Sequence, residues 1–125
     1  MLFGKKKEKG VPVMHYEGID AFATDYPVNL VVDDENIVIT RRVKPETTVT
    51  LPLNRVKSFT AMEESRFMQQ YKGNSATTSK SGIAKYYLVV NYDKGNLVFW
   101  GTAKEYRYFL DLQSKSSGTE SHIEL

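Results

Sequence analysis

The sequence predicts a mainly β protein: a strongly bent sheet of about six or seven antiparallel strands with one C-terminal α-helix at one of its ends. Short segments of alternating apolar residues dominate the chain up to about residue 100. Turn-forming sequences such as DDEN, KPE and DKGN separate these segments. One amphipathic helical pattern follows the last of them. A strongly bent sheet has open ends and an apolar interior, so one helix with an apolar stripe is the right size to close one end.

The segment PVNLVVDDENIVITRR, residues 27–42, predicts the first clear hairpin. Apolar residues alternate on one face of each arm, and the turn DDEN separates the arms; the alternating residues are Val28, Leu30, Val32, Ile37 and Ile39. In the following segment, TTVTLPLNRVKSFTAM, Pro52 and Asn54 interrupt the alternation. It therefore predicts two short strands joined by a bend, the second over about residues 55–62.

Residues 65–82 lose this alternation and become rich in Gly, Ser, Thr and Asn, which predicts a flexible surface loop. The segments IAKYYLVVNY and LVFWG, joined by DKGN, then predict a hairpin with aromatic and β-branched residues on both arms.

The helix is predicted by a capping box, with Thr102 at the N-cap and Glu105 three residues later. Its apolar stripe contains Ala103, Tyr106, Phe109 and Leu110. The predicted organisation is a basic, disordered tail over residues 1–10, one domain over residues 11–115 and a flexible tail over residues 116–125.

Positive charge is concentrated in the opening segment MLFGKKKEKG. Its four lysines and Glu8 give residues 1–10 a net charge of +3, which exceeds the total of +2 and leaves residues 11–125 at −1. A nucleic-acid-binding domain normally carries its positive patch on the folded part, so we expect no nucleic-acid partner. The lysines are Lys5, Lys6, Lys7 and Lys9.

The chain contains no cysteine, which excludes disulfides, thiolate metal sites and thiol nucleophiles. No apolar run reaches the ~18–20 residues of a membrane-spanning helix. The apolar tip precedes the lysines, the reverse of a secretory signal, and Leu2 stands where myristoylation needs glycine. We therefore expect a cytoplasmic protein.

No pattern of catalytic residues is evident, so we predict that the protein is not an enzyme and uses no metal or cofactor. His15, on a predicted edge strand, and His122 lack neighbouring ligands at metal-binding spacing and are expected to be ordinary surface histidines. The carboxylates Asp33, Asp34 and Glu35 occupy a predicted turn tip, where solvent leaves their acidity ordinary and their charge keeps the hairpin soluble.

Residues 13–115 resemble the bacterial pleckstrin-homology-like domains and their GRAM-type relatives. The resemblance rests on Gly18 after a short N-terminal segment, a strand–turn–strand, the strand pattern LPLNRVKSF at residues 51–59, and a final hairpin leading into a helix that carries Phe109. It implies a seven-stranded, partly open barrel capped by a helix. Members of this family act as binding modules for membrane lipids, peptides or protein domains, and some bacterial members assemble into rings.

Phosphoinositide-binding members of the pleckstrin group grip phosphates with basic residues around the first strand–strand turn. In this sequence we assign that turn to Asp33-Asp34-Glu35, which would repel an anionic head group. Arg41, Arg42 and Lys44 lie near the next turn instead, and either a non-classical anion or lipid site or ordinary solvated strand ends would account for them.

Aromatic residues on the last hairpin cannot all face the core, because neighbouring side chains of a strand point to opposite faces. If Leu88 and Val90 face inward, an outward patch remains. It contains Tyr87 and Val89 with one of Phe99 or Trp100, of which we take Trp100, and Tyr108 lies near its boundary. Such a patch is typical of a partner surface. The alternative is that residues 11–24 or 65–72 cover it.

Two hypotheses about function follow. The first is a non-enzymatic module that works by protein–protein contact, including self-association as a homo-oligomer. The second is a peripheral membrane-surface module, in which each lysine of the tail near an anionic membrane contributes ~1 kcal/mol.

Overall fold

A computed structural model of the protein describes residues 10–42, 47–73 and 84–120, with side chains to residue 115. These residues form seven strands, one short 3₁₀ turn and two α-helices. The elements are β1 (Val11–Glu17), β2 (Tyr26–Val32), β3 (Asn36–Arg41), β4 (Thr48–Pro52), the 3₁₀ turn (Leu53–Arg55), β5 (Val56–Glu63), α1 (Glu64–Lys72), β6 (Tyr86–Tyr92), β7 (Gly95–Gly101) and α2 (Ala103–Glu120).

All seven strands belong to one antiparallel sheet in the order β4-β3-β2-β1-β7-β6-β5. β1 is the central strand, and it joins the meander β1–β4 to the meander β5–β7. The helix α2 packs mainly on β5 and also contacts β6, β1 and β7. The predicted fold class, mainly β with a partly open barrel of about seven antiparallel strands capped by a C-terminal helix, is confirmed.

The main core lies on the concave face of this sheet. The predicted alternation is confirmed in the hairpin of β2 and β3, since Val28, Leu30, Ile37 and Ile39 are all buried. Each strand of the sheet adds one or two residues to the same cluster, and α2 adds two; the cluster is Val13, Phe22, Val28, Leu30, Ile37, Ile39, Leu51, Ala61, Leu88, Val90, Leu97, Phe99, Phe109 and Leu112.

At the N-terminus of α2 the Glu105 side chain reaches back to Thr102, as the predicted capping box requires. Glu105 Oε1 accepts hydrogen bonds from the backbone N–H and the hydroxyl of Thr102, each at 2.7 Å. Phe109 is buried as predicted, but Leu110 is 39% exposed and Leu112 takes the core position. The prediction for Leu110 is wrong because one residue is a 100° rotation around the helix, which turns position 110 away from Phe109. The helix continues to Glu120, so the predicted domain end at residue 115 falls inside it.

Residues 64–72, mostly predicted as part of a loop, form the helix α1. Its apolar residues Phe67, Met68 and Tyr71 are spaced three to four apart and share one face. Gly73 ends the helix in the left-handed conformation, with φ +65°, and its N–H donates to the Met68 carbonyl. Nine residues are too few to form a stable helix alone, so packing on the sheet stabilises α1. The rest of the predicted loop, residues 74–83, lies outside the described residues.

A second cluster lies on the convex face of the sheet, between α1 and the strands β5, β6 and β7. It contains Met62, Phe67, Met68, Tyr87, Val89 and Val98, with Tyr16 and Trp100 packed against it. This half of the sheet is therefore covered on both faces.

Candidate functional site

Tyr87 and Val89, which were predicted to lie on an exposed partner surface, are buried. Each is 1% exposed, because α1 lies over them and the ring of Phe67 stacks on the ring of Tyr87. Burial also raises the pKa of the Tyr87 hydroxyl. The prediction of an outward patch is wrong for these two residues, and the alternative, in which residues 65–72 cover them, describes the structure.

The other two residues of that set, Trp100 and Tyr108, are half-buried on opposite sides of the sheet. Trp100 packs on the convex cluster, its Nε1 donates to Asp25 Oδ1 at 2.7 Å, and Lys85 Nζ lies 4.3 Å from its ring centroid. Tyr108 packs against the main core. The four residues therefore do not form one patch.

The two arginines predicted as anion contacts, Arg41 and Arg42, form hydrogen bonds within the protein. Arg41 Nε donates to the Tyr26 hydroxyl, with the guanidinium carbon 5.1 Å from that ring centroid. Arg42 donates from Nε to the Val28 carbonyl at 3.1 Å and from Nη2 to the Val13 carbonyl at 3.2 Å. The other predicted contacts, Lys5, Lys6, Lys7, Lys9 and Lys44, lie outside the described residues.

The acidic turn between β2 and β3 has a structural role. Asp33 Oδ1 accepts the backbone N–H groups of Glu35 at 2.8 Å and Asn36 at 2.7 Å, an arrangement that closes the turn. These hydrogen bonds lower the pKa of the Asp33 carboxyl. The prediction that this is the first strand connection is wrong: it is the second, because β1 precedes β2. The first connection, residues 18–25, contains no lysine or arginine.

His15 is buried, not on the surface as predicted, because β1 is the central strand and not an edge strand. Its Nδ1 is 2.9 Å from the carbonyl oxygen of Ala23, and its Nε2 is 3.1 Å from the backbone nitrogen of Ile19. The carbonyl can only accept and the amide can only donate, so the ring is the neutral tautomer with its proton on Nδ1. Burial lowers the pKa of His15, while the Ala23 hydrogen bond and the charge of Glu17 act in the opposite direction.

The two edge strands of the sheet, β5 and β4, differ in what lies beside them. Along β5 the helix α2 packs closely, and Gln113 Oε1 accepts the Ala61 backbone N–H at 2.8 Å. Beyond β4, no further strand lies in the described part of the chain. β4 has the sequence TVTLP, without a charged residue, and both of its threonines are exposed.

The register of β3 and β4 shows which backbone groups of β4 point outward. Thr47 accepts the Arg41 N–H at 2.9 Å, and at the other end Leu53 donates to the Glu35 carbonyl at 2.8 Å. Hydrogen-bonded and non-hydrogen-bonded pairs alternate in an antiparallel ladder, so residues 47, 49, 51 and 53 face β3. The amides of Thr48 and Thr50 therefore point away from the sheet. Pro52, which has no N–H, occupies the third outward position.

A cavity of about 180 Å³ lies beside this edge, in the gap between β4 and the turn joining β6 to β7. Val49 and Leu51 border it from β4, Ile19 comes from the first strand connection, and Leu97 comes from β7. Arg55 and Lys94 add polar groups to its rim, and Arg55 also pairs with Asp93 at 2.9 Å. The edge thus combines outward backbone amides with an adjacent, mostly apolar recess.

Within residues 10–42, 47–73 and 84–120, no group of three or more His, Asp or Glu side chains could hold a metal ion. Neither helix, over its described length, is long and apolar enough to cross a membrane.

Sequence reasoning missed both the open β4 edge and the buried His15. The uncharged segment TVTLP was the sequence signal for the edge strand. The signal for the burial of His15 was its position two residues after the apolar Val13, which places both on the same face of the strand. The chain matches no model of a protein family, no curated protein and no solved structure.

Proposed function

We propose that this chain is a non-enzymatic binding module that works by protein–protein contact. It takes an extended segment of its partner as an added strand along the outward edge of β4. The observation that carries this proposal is the difference between the two sheet edges. α2 and Gln113 cover β5, whereas among the residues that the structure describes β4 is the last strand and has uncharged, exposed threonines.

The geometry of β4 defines the chemistry of the partner. The outward amides of Thr48 and Thr50 donate to carbonyls of the added strand, and the outward carbonyls of Thr48, Thr50 and Pro52 accept from its amides. Because β4 itself is uncharged, the complementary segment is uncharged and rich in β-branched residues. An apolar side chain of that segment fills the recess beside Val49 and Leu51. Five residues offer few hydrogen bonds, so we expect a weak, reversible contact.

The resemblance to pleckstrin-homology-like domains supports a binding role, because members of that family act as binding modules. Seven strands and a C-terminal helix agree with the architecture that the resemblance implies. The alternative, a peripheral membrane module, depends on Lys5, Lys6, Lys7 and Lys9 and remains the second proposal.

Thr50→Pro tests the proposal. The Thr50 amide makes no hydrogen bond to β3, so proline there leaves the β3–β4 ladder intact while it removes an outward donor. The matched control is Thr50→Ala, which retains the amide. The probes are a synthetic Thr/Val-rich strand peptide and the chain itself, followed by amide hydrogen exchange at Thr48 and Thr50 and by light scattering.

We expect the peptide or a second copy to slow exchange at the amides of residues 48 and 50 in the wild type and in Thr50→Ala. In Thr50→Pro, where position 50 has no amide, we expect exchange at Thr48 to stay unslowed. Self-association would raise the mass above 14.3 kDa. Equal binding by Thr50→Pro, or no protection of either amide by either probe, would contradict the proposal. Binding to anionic vesicles that is lost on deletion of residues 1–10 would favour the membrane alternative.

A further inference from the structure

The first strand connection, residues 18–25, is held to the body of the protein from inside by His15. Both ring nitrogens bond to backbone groups of this connection, at Ala23 and Ile19. Phe22 inserts into the main core, and its ring meets the His15 ring edge-on with centroids 5.7 Å apart. At the end of the connection Asp25, with φ 61°, accepts the Trp100 Nε1 hydrogen bond. One histidine therefore supplies two of the fastening contacts.

Proton uptake by His15 is incompatible with this arrangement. The imidazolium carries a proton on both nitrogens, so Nε2 would point an N–H at the N–H of Ile19 and lose that hydrogen bond. The ring is also 1% exposed, and a buried charge without a partner is unfavourable. The ring can be charged only when the connection moves away and admits water.

The surroundings of His15 offer little to stabilise the charged ring. Opposite it lie Tyr26 on β2 and Phe99 on β7, and neither strand contains a charged residue. On its own strand Glu17 favours the charged form. Asp20 and Asp25 of the connection are exposed, and Asp25 is bonded to Trp100.

We propose that His15 is a pH-sensitive latch: its neutral ring fastens residues 18–25, and its protonation releases them. Release moves Ile19 from the wall of the cavity beside β4 and frees the indole of Trp100. The latch stands on these hydrogen bonds alone and does not depend on strand addition at β4.

The sign of the pH effect follows from the environment of the ring. Burial holds the pKa of His15 below the ordinary value of 6.5 in the fastened form. The released form, in which water reaches the ring, binds the proton more readily. The fastened form therefore has its full stability above about pH 6.5 and loses stability as the pH falls below it.

The single tryptophan makes the latch measurable in the full-length chain. Trp100 emission and its quenching by acrylamide are followed as the pH is lowered from neutral, with far-UV circular dichroism in parallel and the Ile19 amide resonance as a second probe. We expect a reversible change in emission with its midpoint below pH 6.5, the same midpoint at Ile19, and unchanged circular dichroism.

Three variants complete the test. His15→Asn keeps a donor toward Ala23 and cannot titrate, so the transition should disappear. His122→Asn, which removes the other histidine, should leave it unchanged. Glu17→Gln should move the midpoint to lower pH.

If His15→Asn does not fold, the imidazole resonances of the wild type provide the test. They must show a proton on Nδ1 at neutral pH and must titrate with the same midpoint as the Ile19 amide. A transition that persists in His15→Asn, a flat Ile19 response, or loss of circular dichroism at the same midpoint would overturn the proposal.

Discussion

The ring of Tyr87 on β6 stacks on the ring of Phe67 on α1, with centroids 4.3 Å apart and planes within 3° of parallel. Tyr16 on β1 meets both rings edge-on, at 5.4 Å from Tyr87 and 5.5 Å from Phe67. This aromatic group connects α1 to the central strand β1 and to β6. It converts what the sequence presents as an exposed aromatic face into a second core.

Replacing Phe67 by alanine should remove the main anchor of α1. We expect a loss of about 3 kcal/mol or more in the free energy of unfolding, because Phe67 is fully buried and leaves a cavity over Tyr87. Urea unfolding followed by circular dichroism measures this. Gln70→Ala on the exposed face of the same helix is the control and should change stability by less than about 0.5 kcal/mol. If Phe67→Ala loses no more unfolding free energy than Gln70→Ala, then packing of α1 contributes little to the stability of the protein.

Replacing Glu105 by glutamine should weaken the capping box at neutral pH by about 1 kcal/mol. Burial acts to raise the pKa of Glu105, but the hydrogen bonds from Thr102 outweigh it and the pKa is lowered. A lowered pKa means that the carboxylate contributes stability above its unfolded value of about 4.3 and loses it as the pH falls. The difference between wild type and Glu105→Gln should therefore shrink in acid. Thermal unfolding at several pH values measures this, and a constant difference would count against it.

Replacing Gln113 by alanine should expose the β5 edge. The Ala61 N–H loses its acceptor, so its hydrogen exchange should accelerate and stability should fall by about 1–3 kcal/mol. Ser114→Ala, next along the helix on its exposed side, is the matched control and should leave Ala61 unchanged. If the Ala61 amide stays equally protected in Gln113→Ala, then packing of α2 and not the Gln113 side chain protects this edge.

Residues that act through local spacing were predictable. The alternation of Val28, Leu30, Ile37 and Ile39 assigns the core face of the β2–β3 hairpin, because neighbouring strand residues point to opposite faces. The capping box of Thr102 and Glu105 lies within four residues and begins α2 where the sequence predicts. Even so, Leu110 shows that helical spacing alone leaves the edge of an apolar stripe undefined.

The candidate sites were less predictable because they depend on distant neighbours. Tyr87 is buried by Phe67, twenty positions earlier in the chain. Arg42 contacts the carbonyls of Val13 and Val28, so its charge is used within the sheet. The alternation of residues in a strand does not show which strand lies at the edge of a sheet. The edge position of β4 and the central position of β1 therefore could not be predicted from the spacing of apolar residues.

By itself, then, the sequence determined the fold class, the β2–β3 and β6–β7 hairpins and the start of α2. Periodicity, turn residues and helix caps act within a few residues of the chain. Only the tertiary structure decided that α1 covers the aromatic face and that His15 is enclosed by residues 18–25. It also decided that, within the described ranges, β4 and not β5 presents an open edge. The physical reason is that burial and strand order arise from contacts between segments far apart in the chain, which no local pattern contains.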